Sequence, residues 1–229
     1  MKHTALALLL LGWALATGPA QSASVDVRLP HGAGYGMKVT SLKEARFRTT
    51  VRQKFDFSCG SAATATLLTY QYGHRVTEAD VFAKMYAKGD KAKIRAEGFS
   101  LLDMRRYLQS EGFVADGFEL PLDKLFEEDL PAIVLLNDSG YRHFVVVKGM
   151  RGGRVLLGDP ARGTRAMSRR RFEQLWDNRV LFVVHNRREL AQFNHPRDWK
   201  TAPPAPMDMG VQREGLRNIV MPKRGPGDI

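Results

Sequence analysis

The spacing of apolar positions changes period partway along the chain. Residues 60–72 are mostly small or apolar and close at Gly73, the pattern of a buried helix with a glycine stop. Thr77 precedes a second helical pattern that runs to Lys88 and ends at Gly89. Ser100 with Asp103 three residues on has the form of a capping box, opening an amphipathic helix through Ser110 that stops at Gly112. A short strand near 113–118 and a short helix near 122–128 follow. The pattern then becomes that of strands. Pro131–Leu136, His143–Gly149, Arg154–Gly158 and Val180–His185 are β-branched or leucine-rich runs, separated by Asn-Asp-Ser-Gly, Arg-Gly-Gly and Asp-Pro turn signals. Between the last two, Ser168 can cap a helix holding Phe172, Leu175 and Trp176. Helices set before an antiparallel sheet predict an α+β fold, with a domain over residues 46–190.

The flanks read differently. Lys2 precedes the apolar run Ala5–Leu11, and small residues follow to Gly18-Pro19-Ala20. That is the layout of a signal peptide over residues 1–23, cleaved near Ala20 or Ala23, which predicts export to the periplasm. Residues 24–45 are polar and Gly-rich and read as a loosely ordered lead-in. Residues 195–229 hold six of the eleven prolines and a single aromatic, Trp199. Such a segment buries too little apolar surface to offset its ordering entropy, so 191–229 reads as a flexible tail whose beginning Trp199 could pin.

Charge and cysteine content narrow the chemistry. The formal net charge is +11, and Cys59 is the only cysteine, so no internal disulfide can form and stability must come from a packed core. The basic run Arg162, Arg165, Arg169, Arg170 and Arg171 reads first as a solvated face. A functional run there would favour acidic peptides or an anionic membrane surface. No nucleic-acid recognition motif is present, and six scattered histidines with one cysteine give no zinc-ligand spacing. No cofactor or metal is expected.

Cys59 stands where a loop becomes the first apolar helix. There the backbone amides and the positive end of the helix dipole favour thiolate over thiol, so its pKa is expected to fall. A turn centred on residue 151 would make His143 and Asp159 face each other across a hairpin. His143 alternates with Val145 and Val147, and packing of that face on the helices brings the imidazole toward Cys59. Cysteine, histidine and aspartate together make an activated nucleophile, a base and an orienting group. Gln53, six residues before Cys59, is a candidate side-chain donor to an oxyanion, beside the amide of Cys59.

These residues in this order, Gln53-x5-Cys59-Gly60, then His143-Phe144-Val145-Val146-Val147, then Gly158-Asp159-Pro160, resemble the bacteriocin-processing cysteine peptidases. Those enzymes cut secreted peptides after a double-glycine leader. The resemblance spans roughly residues 47–186. It implies a papain-like fold, Cys59 as nucleophile, His143 as general base and acid, Asp159 as its orienter, and Gln53 in the oxyanion hole. Ser58 stands where that family usually has aspartate, and the transporter and ATPase modules of its best-known members are not in this chain. With its signal segment the chain looks more like the free-standing exported members associated with functional-amyloid (Fap-type) secretion. The implied partners are a secreted peptide or protein substrate and secretion-system components. Two other readings stay open: a peptidase-like domain that binds without cutting, and a transpeptidase that passes the acyl group to an amine.

Overall fold

A computed structural model describes residues 24–28, 34–38 and 40–203; the signal segment expected over 1–23 and the tail from 204 onward lie outside the described residues. Within the lead-in, where no periodicity is visible, strands β1 (Ser24–Arg28) and β2 (Gly34–Lys38) pair as an antiparallel hairpin with Ser24 facing Lys38.

The main unit, from Lys43 onward, is built on a six-stranded antiparallel sheet. Its strands are β3 (Ala115–Glu119), β4 (Ala132–Asp138), β5 (Tyr141–Arg151), β6 (Arg154–Asp159), β7 (Gly163–Ser168) and β8 (Val180–Val184), in the spatial order β3-β8-β4-β5-β6-β7. Helix α1 (Leu42–Arg46) leads in. It is followed by α2 (Cys59–Thr66), which widens into a π-helical turn over Leu67–Gln71. Then come α3 (Glu78–Lys88), α4 (Lys91–Glu97) and α5 (Leu101–Ser110), with α6 (Asp123–Glu127), α7 (Arg169–Leu175) and α8 (Pro196–Trp199) later in the chain.

The local signals act as expected. Thr77 Oγ1 accepts the amide of Asp80 to cap α3, and Ser100 and Asp103 exchange both bonds of a capping box at the start of α5. Two apolar layers sandwich the sheet. On one face Ile133, Phe144, Val146 and Phe182 pack with Leu67, Leu68, Val81, Met104 and Leu108 of the early helices. On the other, Val134, Leu136, Val145, Val147 and Leu157 pack with Leu125 of α6 and Phe172 and Leu175 of α7. Burial on both faces is why β4 and β5 read as continuous apolar runs rather than alternating ones.

Two features depart from the sequence reading. The β5–β6 turn is the two-residue Gly152-Gly153, with Arg151 facing Arg154; both glycines take positive φ (56° and 67°), as a hairpin turn of this length demands. Further along, a bulge intervenes: Gly149 faces Leu156 and Val147 faces Leu157, which leaves Lys148 as the extra residue. The turn displaces the expected His143–Asp159 register by three residues and the bulge restores one, so continuing the observed ladder puts Asp159 beside Val145.

The second departure is that the packed body does not end at residue 190. Phe193, Asp198 and Trp199 are buried, and Trp199 packs on Leu156 with Arg151 and Arg154 over its ring. Lys148 is what holds this segment. Its Nζ donates to Asp198 Oδ1 (2.8 Å), Thr49 O (2.8 Å) and Thr49 Oγ1 (2.9 Å), with both charged side chains fully buried. Gln71, at the end of the π-helical turn, donates to Asp198 Oδ2 (3.3 Å).

Candidate active site

The loop before α2 is tied down at several points. Thr50 and Thr164 share a hydroxyl–hydroxyl bond (2.7 Å), Val51 N donates to Thr66 Oγ1 (2.9 Å), and Gln53 N donates to Pro160 O (3.1 Å). The last of these fixes the segment carrying Gln53 to the strand end carrying Asp159. Ser58 does not cap α2 with its side chain; its hydroxyl instead closes a local turn with Phe55 N and O. Gly60 has a steric reason to be glycine, because a Cβ there would lie 2.9 Å from Cβ of Phe99.

Cys59 therefore sits in the first turn of α2, where it is buried and only 8% exposed. Its thiol is pushed up, opposite to the direction expected from its helical position. Burial dominates, and the amides of Phe144, Gly60 and Cys59 itself, which favour thiolate, offset it only in part. Phe144 lies beyond the last rung of the β5–β6 ladder, Val146 with Gly158, so the sulfur meets β5 where the sheet opens.

His143 and Asp159 are 1% and 0% exposed and meet at 3.3 Å, Nε2 to Oδ2. They are diagonal rather than facing neighbours, a span that an imidazole covers. Every acceptor position of the carboxylate is used. Oδ1 accepts the amides of Ala161 (3.0 Å) and Arg162 (3.1 Å), while Oδ2 accepts His143 and Arg165 Nε (2.9 Å). Arg165 Nη2 lies 2.9 Å from the same oxygen as a charge contact rather than a second hydrogen bond. Burial alone would push Asp159 up; the His143 hydrogen bond and charge, Arg165 and the Ala161 amide outweigh it and hold the carboxyl at about 2.

The thiol and the ring are not hydrogen-bonded to each other. His143 Nδ1 is buried without a partner, and the amides that favour the thiolate include that of Phe144, the residue next to His143. The expected route to this meeting also needs correcting. The face of His143, Val145 and Val147 packs toward α7, whereas α2 packs on the face of Phe144 and Val146. Cys59 reaches His143's strand at the open end of the sheet, not across the face that the histidine shares.

Gln53 Nε2 donates to Phe55 O (3.2 Å), and its Oε1 is buried without a partner. Beside it lies Tyr141, whose ring stacks on His143 with centroids 4.8 Å apart and planes 26° apart. Burial pushes the Tyr141 hydroxyl up, and the neighbouring Gln53 side chain offsets this only in part. Sequence reasoning passed over Tyr141, although a residue two before His143 on one strand shares its face. It also placed Arg165 in a solvated basic run. Four members of that run are paired: Arg162 and Arg171 with Asp138, Arg165 with Asp159, and Arg169 with Asp123 and Glu173. Among the described residues, no group of three or more His, Cys, Asp or Glu side chains is disposed to hold a metal ion.

Comparison with known proteins places this geometry in context. The model of the Peptidase C39 family matches residues 48–188. The probable functional amyloid protease FapD of Pseudomonas fluorescens is 40% identical over 185 residues, covering 80% of each chain. Its namesake from Pseudomonas aeruginosa is 41% identical over 156 residues, 68% of this chain and 69% of the relative. Among solved structures, the peptidase domain of Streptococcus ComA, a bi-functional ABC transporter involved in quorum sensing, aligns with a TM-score of 0.50 at 22% identity. That alignment covers 59% of this chain and 97% of the domain, and it shows a shared papain-like fold. The chain belongs to the Peptidase C39 family and is a cysteine peptidase.

Proposed function

We propose that this chain is an exported endopeptidase that cuts a secreted polypeptide, with Cys59 as nucleophile, His143 as general base and acid, Asp159 as the orienting carboxylate and Gln53 as an oxyanion donor. One observation carries the assignment: the buried His143–Asp159 pair leaves Nδ1 as the ring's free nitrogen, and the next amide on the same strand faces the sulfur. The lysine and apolar run at the start of the chain support export to the periplasm, and the names of the relatives support an amyloid-forming protein of a secretion system as substrate.

The raised thiol favours one order of events. The proton stays on sulfur at rest, and His143 Nδ1 removes it as the sulfur attacks the peptide carbonyl. The amide of Cys59 and the Gln53 carboxamide, released from Phe55, stabilise the oxyanion. The imidazolium then protonates the leaving amine, and water resolves the thioester. Gln53→Ala should lower kcat by about 10²–10³ with KM little changed, as measured by initial rates on a peptide spanning the cleavage site.

A second reading, a peptidase-like domain that binds a secreted chain without cutting it, draws on the burial of the thiol and the stacked cover of Tyr141 over His143. The N-termini of exported proteins, compared between cells that make this chain and cells that lack it, separate the two. Hydrolysis leaves one or a few proteins with a longer N-terminal or uncut form in the deficient cells. Identical termini in both would overturn the peptidase reading.

A further inference from the structure

The Asp159 carboxylate is asked to serve two cations at one atom. Oδ2 accepts Arg165 Nε at 2.9 Å and His143 Nε2 at 3.3 Å, so the shorter, charge-assisted bond goes to the arginine. Arg165 is well placed to keep that share. It lies on β7, where Gly163 faces Asp159 and Thr164 faces Gly158, and its side chain is 22% exposed against a fully buried carboxylate. A guanidinium here competes for the charge that would otherwise stabilise an imidazolium.

The remaining charges around the pair are committed elsewhere. Asp138 of β4 is held by Arg162 and Arg171, Arg142 of β5 by Asp177, and Asp56 lies in the exposed loop before α2. Tyr141 of β5 stacks on the ring, and Cys59 enters from α2.

We infer that Arg165 is a positioning residue that holds the resting site as a neutral thiol–imidazole pair by competing with His143, over the shorter contact, for Asp159 Oδ2. The inference rests on the triad reading above and concerns how that triad is kept idle until substrate is bound. Removing the guanidinium hands Oδ2 wholly to His143 Nε2. The ring then accepts the Cys59 proton at Nδ1, with no net change in protons, and the site becomes a thiolate–imidazolium pair at rest.

Because Cys59 is the only cysteine, its alkylation by iodoacetamide reports this directly by mass. The experiment follows the rate from pH 5 to 9 in the full-length protein and its variants. In the unmutated protein the rate should climb only toward alkaline pH. Arg165→Met should add a rise at lower pH, with about tenfold faster labelling at pH 6. Arg165→Lys, which keeps the charge, should stay near the parent. Arg165→Gln, which gives Oδ2 a neutral donor, should move the same way as methionine and serves if the methionine variant does not fold. The gain must vanish when His143→Ala is added. Superimposable profiles for the parent and the neutral variants would overturn the inference, as would a gain that persists without His143. A single His143→Ala variant that cleaves like the parent would instead remove the triad beneath it.

Discussion

Exchanging Cys59 for alanine should lower peptide hydrolysis by on the order of 10⁴-fold or more and leave substrate affinity nearly unchanged. In the proposed mechanism the sulfur forms the covalent acyl intermediate, so its loss removes the pathway rather than slowing a step of it. The fold should tolerate the change. Cys59 is buried in a small-residue turn with Ala62 and Ala63 nearby, and alanine removes only one heavy atom, at a cost of about 1 kcal/mol. Initial rates and a binding isotherm on the same peptide check both halves. Cleavage by the alanine variant at the parent's rate would end the assignment of Cys59. His143→Ala should give a loss of similar size, because nucleophile and base act as a unit and their losses do not add.

Lys148→Met should destabilise the main unit by about 3–5 kcal/mol. Lys148 and Asp198 are both fully buried, and Nζ at 2.8 Å is the nearer of the two cations beside the carboxylate, Arg197 Nε being 4.0 Å away. Burial pulls Lys148 down to about 8 even beside Asp198, a sign of how costly the site is for any charge. Taking away the lysine leaves a buried carboxylate with only the Gln71 amide and a distant Arg197 beside it, and the Thr49 carbonyl loses its donor. Methionine fills a similar volume, so the loss is electrostatic rather than a cavity. Against a total of roughly 5–15 kcal/mol for a domain, the thermal midpoint should fall by roughly 10 °C. The double variant Lys148→Met with Asp198→Leu should recover much of the loss, since an apolar pair of matched size costs no desolvation. Urea unfolding of the three proteins checks this; a single variant as stable as the parent would contradict it.

What could be read along the chain was whatever local chemistry controls. Thr77, Gly89, Ser100 and Asp103 bound their helices because caps and stops act within four residues. Cys59, His143 and Asp159 were legible as a set because a cysteine at a helix start and a histidine and aspartate at strand ends are positions that topology brings together. Strand β7 was not, since Gly-Thr-Arg-Ala-Met-Ser alternates weakly and forms by pairing with β6. The hairpin register failed at the turn, which falls on Gly152-Gly153 rather than on residue 151, and the bulge at Lys148 takes back only one residue of that shift. A lysine inside an apolar run reads as a strand edge, and only Asp198, fifty residues on, makes its burial and the bulge affordable. The same pair explains why residues 191–203, at the head of the proline-rich segment, are packed: composition counts apolar area and misses a buried charge waiting for its counterion. The thiol's direction went wrong for a related reason. A helix start is visible in one dimension, while desolvation depends on everything folded over it.

His143 and Phe144 follow each other on one strand, so imidazole and sulfur-facing amide travel as a single rigid jaw. The tight turn at Ser139-Gly140 sets how far that jaw reaches, and both residues there take positive φ. A one-residue insertion in that turn would carry ring and amide away from the sulfur in the same stroke, and activity would vanish at once rather than fade. At the opposite end of the strand, lengthening of Gly152-Gly153 is buffered by the bulge, which takes up slippage before it arrives at the histidine. The two ends of one hairpin arm thus differ in their tolerance to drift, and the intolerant one is the end that carries His143 and the Phe144 amide.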